Sequence, residues 1–238
     1  MPQKRSGGPG HGGGGSRPLA VKVRRARRRK PSSTDWLNRQ LNDPFVAEAH
    51  RLGYRSRAAF KLIQLDERFH LLRPGMRVID LGCAPGGWTQ IAAARVGVGK
   101  NRGAVVGIDL LAADPIPGTT LLQGDFRDPA TAERIRAALG GPADLVLSDM
   151  AAPATGHAAT DHLRIVALAE EAFALAAAML RPGGAFVAKV FQGGAEGDLL
   201  AGLKKAFASV RHAKPAASRA ESAETYVVAT GFRGPPAA

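Results

Sequence analysis

Asp80-Leu81-Gly82-Cys83-Ala84-Pro85-Gly86-Gly87-Trp88 ends a strand and opens a glycine turn within nine residues, and its reading decides the fold. Upstream, Met76-Arg77-Val78-Ile79 reads as a short buried strand, with Pro74-Gly75 as the turn before it. Downstream, Thr89-Gln90-Ile91-Ala92-Ala93-Ala94-Arg95 reads as a helix. Strand, glycine turn and helix make the opening unit of an open α/β sheet, where ligands lie against the carboxyl ends of the strands. Glycines in the turn let the backbone approach a ligand that a Cβ would keep away. The spacing is G-x-x-x-G-G, not G-x-G-x-x-G, which argues against a dinucleotide pyrophosphate on the helix terminus.

Two further acids extend the pattern. Ala104-Val105-Val106-Gly107-Ile108-Asp109 reads as the next strand and ends in a carboxylate about twenty residues beyond the loop, where it can accept both hydroxyls of a ribose. Thr120-Leu121-Leu122-Gln123-Gly124 is the strand after that, closed by Asp125. Successive strands ending in Gly or Asp at one sheet edge describe a nucleoside pocket. The alternative is that each acid only caps a helix. With the Gly86-Gly87-Trp88 turn, the set fits S-adenosylmethionine better than NAD.

Composition narrows the setting. The chain has 238 residues with 45% apolar content, enough for one domain with a sizeable core plus appendages. It holds no run of apolar residues long enough to span a membrane and no signal-type segment at its start, so no membrane partner is expected. Cys83 is the sole cysteine, which excludes an intrachain disulfide and a four-cysteine zinc site; a reducing cytoplasm is the simplest location. Of the formal +13 charge, residues 1–34 carry +10, with no acid among them. The same stretch is rich in glycine, so it is expected to be a disordered basic arm. Such an arm contacts nucleic-acid phosphates without sequence preference, or serves as a solubilising or targeting tail.

From Ser32 the pattern changes. Trp36, Leu37, Leu41, Phe45 and Val46 suggest amphipathic helix, broken at Asn42-Asp43-Pro44. Another helix begins within Gly53–Leu62, with Ser56 as its cap and Phe60, Leu62, Ile63 and Leu65 as its apolar face. Lys61 lies between apolar neighbours, where spacing alone favours a snorkelling stem over an amine aimed into a cleft. Further on, Ala143–Met150 is a buried strand finishing in Ser148-Asp149. A long helix follows, roughly Asp161 to Leu180, closed by Arg181-Pro182-Gly183-Gly184, and then the strand Ala185–Phe191, with Lys189 amid apolar neighbours. A lysine inside a doubly covered sheet is costly unless its amine emerges at the active edge. Thr225–Thr230 is a late strand entered from Glu224. The expected fold is α/β: a mostly parallel sheet of seven strands, the last antiparallel, with helices on both faces.

Taken together, Gly53–Leu62, Asp80–Trp88, Gly124–Asp128, Ser148-Asp149-Met150, Lys189-Val190-Phe191-Gln192-Gly193 and Ser218-Arg219 through Glu224-Thr225-Tyr226 resemble the RrmJ/FtsJ (RlmE) ribosomal RNA 2′-O-methyltransferases. The resemblance runs in order from about Trp36 to Gly231. It implies a Rossmann-like methyltransferase fold with S-adenosylmethionine as donor and no metal. It also implies a uridine 2′-hydroxyl in the A-loop of the peptidyl-transferase region of 23S rRNA as acceptor, within the 50S subunit and in support of its late assembly. The family's Lys-Asp-Lys-Glu tetrad falls on Lys61, Asp149, Lys189 and Glu224, all four intact, and its cofactor contacts fall on Gly86, Trp88, Asp109, Asp125 and Asp149. The implied organisation is a basic arm over 1–34 and a methyltransferase domain over 35–238. Within that domain, 35–70 is a helical segment and 71–232 the Rossmann-like core; nothing demands more than a monomer. The arm is longer than the usual family start, and residues 96–102 form a slightly longer connection than usual.

The tetrad suits the chemistry. Methyl transfer from a sulfonium is an in-line displacement, so alignment of the acceptor hydroxyl carries much of the rate and removal of its proton the remainder. The resulting assignment makes Lys189 the proton acceptor, with Lys61 as the neighbouring cation that favours its neutral form and helps hold the ribose. Asp149 orients Lys189, and Glu224 positions Lys61 or the hydroxyl. Arg55, Arg57 and Arg219 are read as RNA-phosphate contacts. Trp88 is either a cofactor neighbour or core. The six histidines lack metal-ligand spacing, and Cys83 lacks a triad. An assembly factor that keeps the fold without the chemistry, and a methyltransferase acting on small molecules or proteins, are the rival readings; the whole tetrad opposes the first and the charge the second.

Overall fold

In the glycine turn, Gly82 has φ +74° and Gly86 φ +115°, backbone conformations that a side chain rarely adopts. They swing the chain from a buried strand, β1 (Arg77–Leu81), directly into the helix Gly87–Val96. The computed structural model describes residues 41–100, 103–191 and 196–234. The basic arm, the helix expected around Trp36, the domain boundary expected at residue 34, and Gln192-Gly193 lie outside the described residues. The chain divides at Pro44, and the sheet with the helices packed on it belongs to the unit from Phe45 onward.

In chain order the elements are α1 (Pro44–Leu52), α2 (Ala58–Phe69), β1, α3 (Gly87–Val96), β2 (Ala104–Asp109), β3 (Thr120–Gln123) and α4 (Pro129–Leu139). There follow β4 (Ala143–Ser148), α5 (Ala158–Met179), β5 (Leu180–Phe191), α6 (Gly197–Ala206), β6 (Phe207–Ala213) and β7 (Glu224–Phe232). Among the described residues the sheet has seven strands in the order β3-β2-β1-β4-β5-β7-β6. The neighbours from β3 to β5 pair in parallel, and β7 runs antiparallel to both β5 and β6. The expected architecture, including the reversed final strand, is therefore present. Connections leave β1 toward β2 on one side and the chain later returns to β4 on the other, so a crevice opens at the carboxyl ends of β1 and β4.

Alternation along the strands fills two cores. Ile79, Val106, Ile108, Val146, Phe186, Ala188 and Val227 face a layer containing Ile135 of α4, Ala169, Ala172 and Ala176 of α5, and Leu199 and Leu203 of α6. Val78, Val105, Leu145, Leu147, Val187, Tyr226 and Val228 face Leu62 and Leu65 of α2 and Trp88, Ile91 and Ala92 of α3. Because successive strand residues point to opposite faces, the run Leu145-Val146-Leu147 serves both cores.

Local chemistry sets the ends. α4 starts with Pro129 behind an Asp128 cap that accepts from the Ala130 amide, and it stops at Gly140 with φ +67°. Two details depart from expectation. Ser56 does not cap α2, whose N-cap is Arg57 with no side-chain cap bond. The Arg181-Pro182-Gly183-Gly184 stretch is not a separate loop: it lies within β5 as an irregularity, the β4 register moving from Ala143–Leu180 to Leu145–Ala185.

Candidate active site

Register brings the catalytic candidates together. On the antiparallel β5–β7 pair Lys189 lies directly opposite Tyr226, and Phe191 opposite Glu224, so Lys189, Tyr226 and Glu224 share one face. On the other side of β5, Ser148 of β4 pairs with Ala188, which sets Asp149, the first residue past β4, beside Lys189. α2 crosses that face and delivers Lys61 from its first turns. Four residues separated by up to 163 positions in sequence thus meet as one charged cluster.

The cluster is tightly paired. Lys61 Nζ lies 2.8 Å from Glu224 Oε1 and donates to Oε2 at 2.9 Å. Lys189 Nζ lies 2.9 Å from Asp149 Oδ1 and donates to the Asp149 carbonyl at 2.8 Å. Cross pairs are longer: Lys61–Asp149 at 3.8 Å and Lys189–Glu224 at 3.7 Å. Two neutral donors complete it, the Tyr226 hydroxyl on Asp149 Oδ1 at 2.6 Å and the Ser218 hydroxyl on Glu224 Oε1 at 2.7 Å. The side chains of Lys61 and Lys189 are only 11% and 8% exposed, so the snorkelling suggested for Lys61 by spacing does not occur; its amine enters the cluster. Burial pushes the Asp149 and Glu224 carboxyls up, but the two ammonium groups outweigh it and hold both below the usual carboxylate range. Burial, reinforced by Asp149 and Glu224, drives the Tyr226 phenol well up, so that it stays a donor.

Beside the cluster a cavity of about 660 Å³ opens along the strand ends, with Asp149 in its wall. Gly82, Asp109, Asp125, Phe126, Met150 and Pro153 also line it. Gly82 cannot carry a side chain here, since a Cβ would lie 2.5 Å from Met150 Cγ. Asp109 braces two loops, accepting from the Ala84 amide at 2.9 Å and the Leu111 amide at 2.8 Å. It is thus a loop brace and a cavity carboxylate at once. Asp125 accepts from the Arg127 guanidinium, whose hydrogen bonds lower its carboxyl. A mostly apolar cavity that includes Gly82 and Gly124 and carries four carboxylates, Asp109, Asp125, Asp149 and Glu171, suits a ligand that has ribose hydroxyls, ring N–H groups and positive charge.

Gly86 and Trp88 are not among the residues lining that cavity. The Trp88 indole is 3% exposed, donates to the Ala58 carbonyl at 2.8 Å and lies tilted against Tyr226 at 5.6 Å. It is a core residue whose neighbour is the cluster's own tyrosine. Arg55, read from sequence as a phosphate contact, spends its guanidinium on the carbonyls of Pro85, Asp114 and Pro115. Arg57 donates to the Ala217 carbonyl and lies over the Phe45 ring at 5.8 Å.

The match to known proteins covers most of these elements: residues 54–232 fit the model of the FtsJ-like methyltransferases. The chain belongs to that family. It is 67% identical over 223 residues to the ribosomal RNA large subunit methyltransferase E of Paramagnetospirillum magneticum, covering 93% of this chain and 91% of that protein. It is 61% identical to the protein of the same name from Azorhizobium caulinodans, covering 92% and 91%. Among solved structures, a Plasmodium falciparum chain assigned as a ribosomal RNA methyltransferase superposes with a TM-score of 0.68 at 30% identity, over 76% of this chain and 100% of that one.

Sequence reading placed Tyr226, Ser218 and Asp80 inside its motifs but gave none of them a role. Tyr226 had a signal, standing two residues from Glu224 on one strand and hence on one face. Ser218 had none, since its approach to Glu224 depends on how the chain between β6 and β7 folds. Asp80 is 1% exposed, accepts from the Thr89 hydroxyl at 2.6 Å, and has an Oδ1 without a hydrogen-bond partner. Burial pushes its carboxyl up to about 7 against the lowering pull of the Thr89 hydrogen bond.

Proposed function

We propose that the protein transfers a methyl group from S-adenosylmethionine to the 2′-hydroxyl of a uridine in the A-loop of 23S rRNA, acting as a monomer in the cytoplasm late in 50S assembly. The observation that carries this reading is the buried Lys61–Glu224 and Lys189–Asp149 pairing at the edge of a carboxylate-lined cavity. The names of the relatives support ribosomal RNA of the large subunit as the acceptor. Asp109, Asp125 and Asp149 would hold the donor, with the glycine turn giving its backbone room to sit. When bound, the donor supplies a sulfonium methyl that needs no further activation.

The remaining work falls to this chain's own residues. Asp149 fixes Lys189 through both its carboxylate and its carbonyl, leaving the amine little freedom to wander. Lys189, once its ammonium proton has passed to solvent, accepts as the neutral amine the proton that leaves the 2′-hydroxyl while that oxygen takes the methyl. Glu224 grips Lys61 with both oxygens, which keeps that second positive charge next to Lys189 and the acceptor ribose. Tyr226, kept protonated, locks the Asp149 carboxylate from beneath.

The deciding test supplies labelled S-adenosylmethionine and large ribosomal subunits from cells lacking the protein, with nuclease mapping of the product. A single labelled 2′-O-methyluridine in the A-loop is the expected result. Donor binding without label in 23S rRNA would redirect the search to other RNAs. Absence of both would mark the protein as a non-catalytic assembly factor.

A further inference from the structure

We propose that Arg55 is a positioning residue that ties the helix carrying Lys61 to the donor cavity, rather than a contact for RNA phosphate. Its guanidinium donates to the Asp114 carbonyl at 2.6 Å, to Pro115 at 2.7 Å and to Pro85 at 3.1 Å. Pro85 belongs to the glycine turn. Asp114 and Pro115 belong to the connection after β2, whose first residues Leu110 and Leu111 line the cavity. One planar fork therefore links two walls of the site, a geometry that an ammonium cannot reproduce. The turn is shaped around it: a Cβ on Gly86 would stand 3.0 Å from the Arg55 side chain and 2.9 Å from Ile116.

The same short segment is bolted to α3. The Arg55 amide donates to Gln90 Oε1 at 2.8 Å, and the Gln90 amide group donates to the Gly53 carbonyl at 3.1 Å. Three residues beyond Arg55, the Ala58 carbonyl receives the Trp88 indole N–H at 2.8 Å, and Lys61 follows one turn later. Turn, post-β2 connection and the start of α2 are thus one hydrogen-bonded joint. Loosening it opens the donor cavity and misplaces Lys61 together.

This inference rests on the donor reading above, so the experiment has one arm with donor and one without. Donor affinity is measured by calorimetry for the wild type, Arg55→Ala and Arg55→Lys, and amide hydrogen exchange over residues 111–119 is followed in the absence of ligand. Both variants are expected to lose about tenfold in donor affinity, as the loss of hydrogen bonds from a charged donor implies. Both should also exchange faster in that connection, while the salt slope of RNA binding stays unchanged. Wild-type exchange in both variants, or rescue by Lys, would overturn the clamp. So would a defect confined to RNA affinity with a reduced salt slope, which is the signature of a phosphate contact. If Arg55→Ala does not fold, Gln90→Leu removes the neighbouring bonds without touching the guanidinium, and it must move donor affinity in the same direction or the joint is refuted. A wild type that binds no donor would strike the donor reading alone; the exchange comparison still decides the clamp.

Discussion

Lys189, Tyr226 and Asp80 make separable demands at the scale of single residues. Lys189→Ala removes the proposed proton acceptor but leaves the cavity lining in place, so single-turnover transfer should fall by about a thousandfold or more. Calorimetric donor affinity should stay within a few-fold; its collapse would make Lys189 structural instead. Tyr226→Phe keeps the buried ring and deletes the 2.6 Å bond to Asp149. A buried carboxylate that loses one donor costs about 1–3 kcal/mol, which denaturant titration should register together with slower transfer. Asp80 acts through pH. Its folded carboxyl titrates near 7, above the usual 3.8, so the folded state holds a proton that the unfolded chain has already released. Stability must therefore fall as pH rises from about 4 to about 7, by up to about 4 kcal/mol, and the penalty persists above that window. The contribution of Asp149 and Glu224 has the opposite sign, present above pH 4 and lost only in stronger acid. Asp80→Asn should flatten the decline between about pH 4 and about pH 7 in urea titrations; an unchanged slope would show that Asp80 is not its source.

At the scale of elements, the question is how α2 and α3 meet the sheet, and Trp88 sits at that junction. Trp88→Phe retains an aromatic ring against Tyr226 but loses the bond to the Ala58 carbonyl. Stability should drop by about 1–2 kcal/mol with donor affinity nearly unchanged. A tenfold loss of donor affinity in a fully stable variant would restore the indole as a direct cofactor contact. The same junction shows what a sequence can disclose. Strands buried on both faces, such as Leu145-Val146-Leu147, announce themselves by apolar runs, and the glycine turn by its spacing. β6 was not located because it lies at the sheet edge and carries Arg211 and His212 toward solvent, which leaves it no apolar alternation to read. The tetrad residues were legible because a family resemblance marked them, whereas period and burial alone placed Lys61 on the surface. Arg55 was misread for a physical reason: a charge pattern says nothing of whether an arginine ends on a phosphate or on three carbonyls of its own chain.

For the whole molecule, charge is unevenly divided: residues 1–34 hold ten of the 33 basic side chains and none of the 20 acids. The cluster at the candidate active site is internally balanced, two ammonium groups against two carboxylates, so it lends little long-range attraction for a polyanion. The globular part as a whole carries only +3. Attraction to ribosomal RNA on the proposed reading therefore has to come largely from the amino-terminal stretch. Each phosphate neutralised releases counterions, making log affinity fall linearly with log salt by about 0.7–0.9 per contact. Removing residues 1–34 should leave calorimetric donor affinity and melting temperature close to those of the full chain. RNA affinity at low salt should fall by about tenfold or more, and the salt slope should shrink by several contacts' worth, while transfer at saturating RNA keeps its rate. The slope is the decisive quantity. If it is unchanged by the deletion, the globular surface carries the RNA despite its small net charge, and the basic stretch serves solubility or targeting instead.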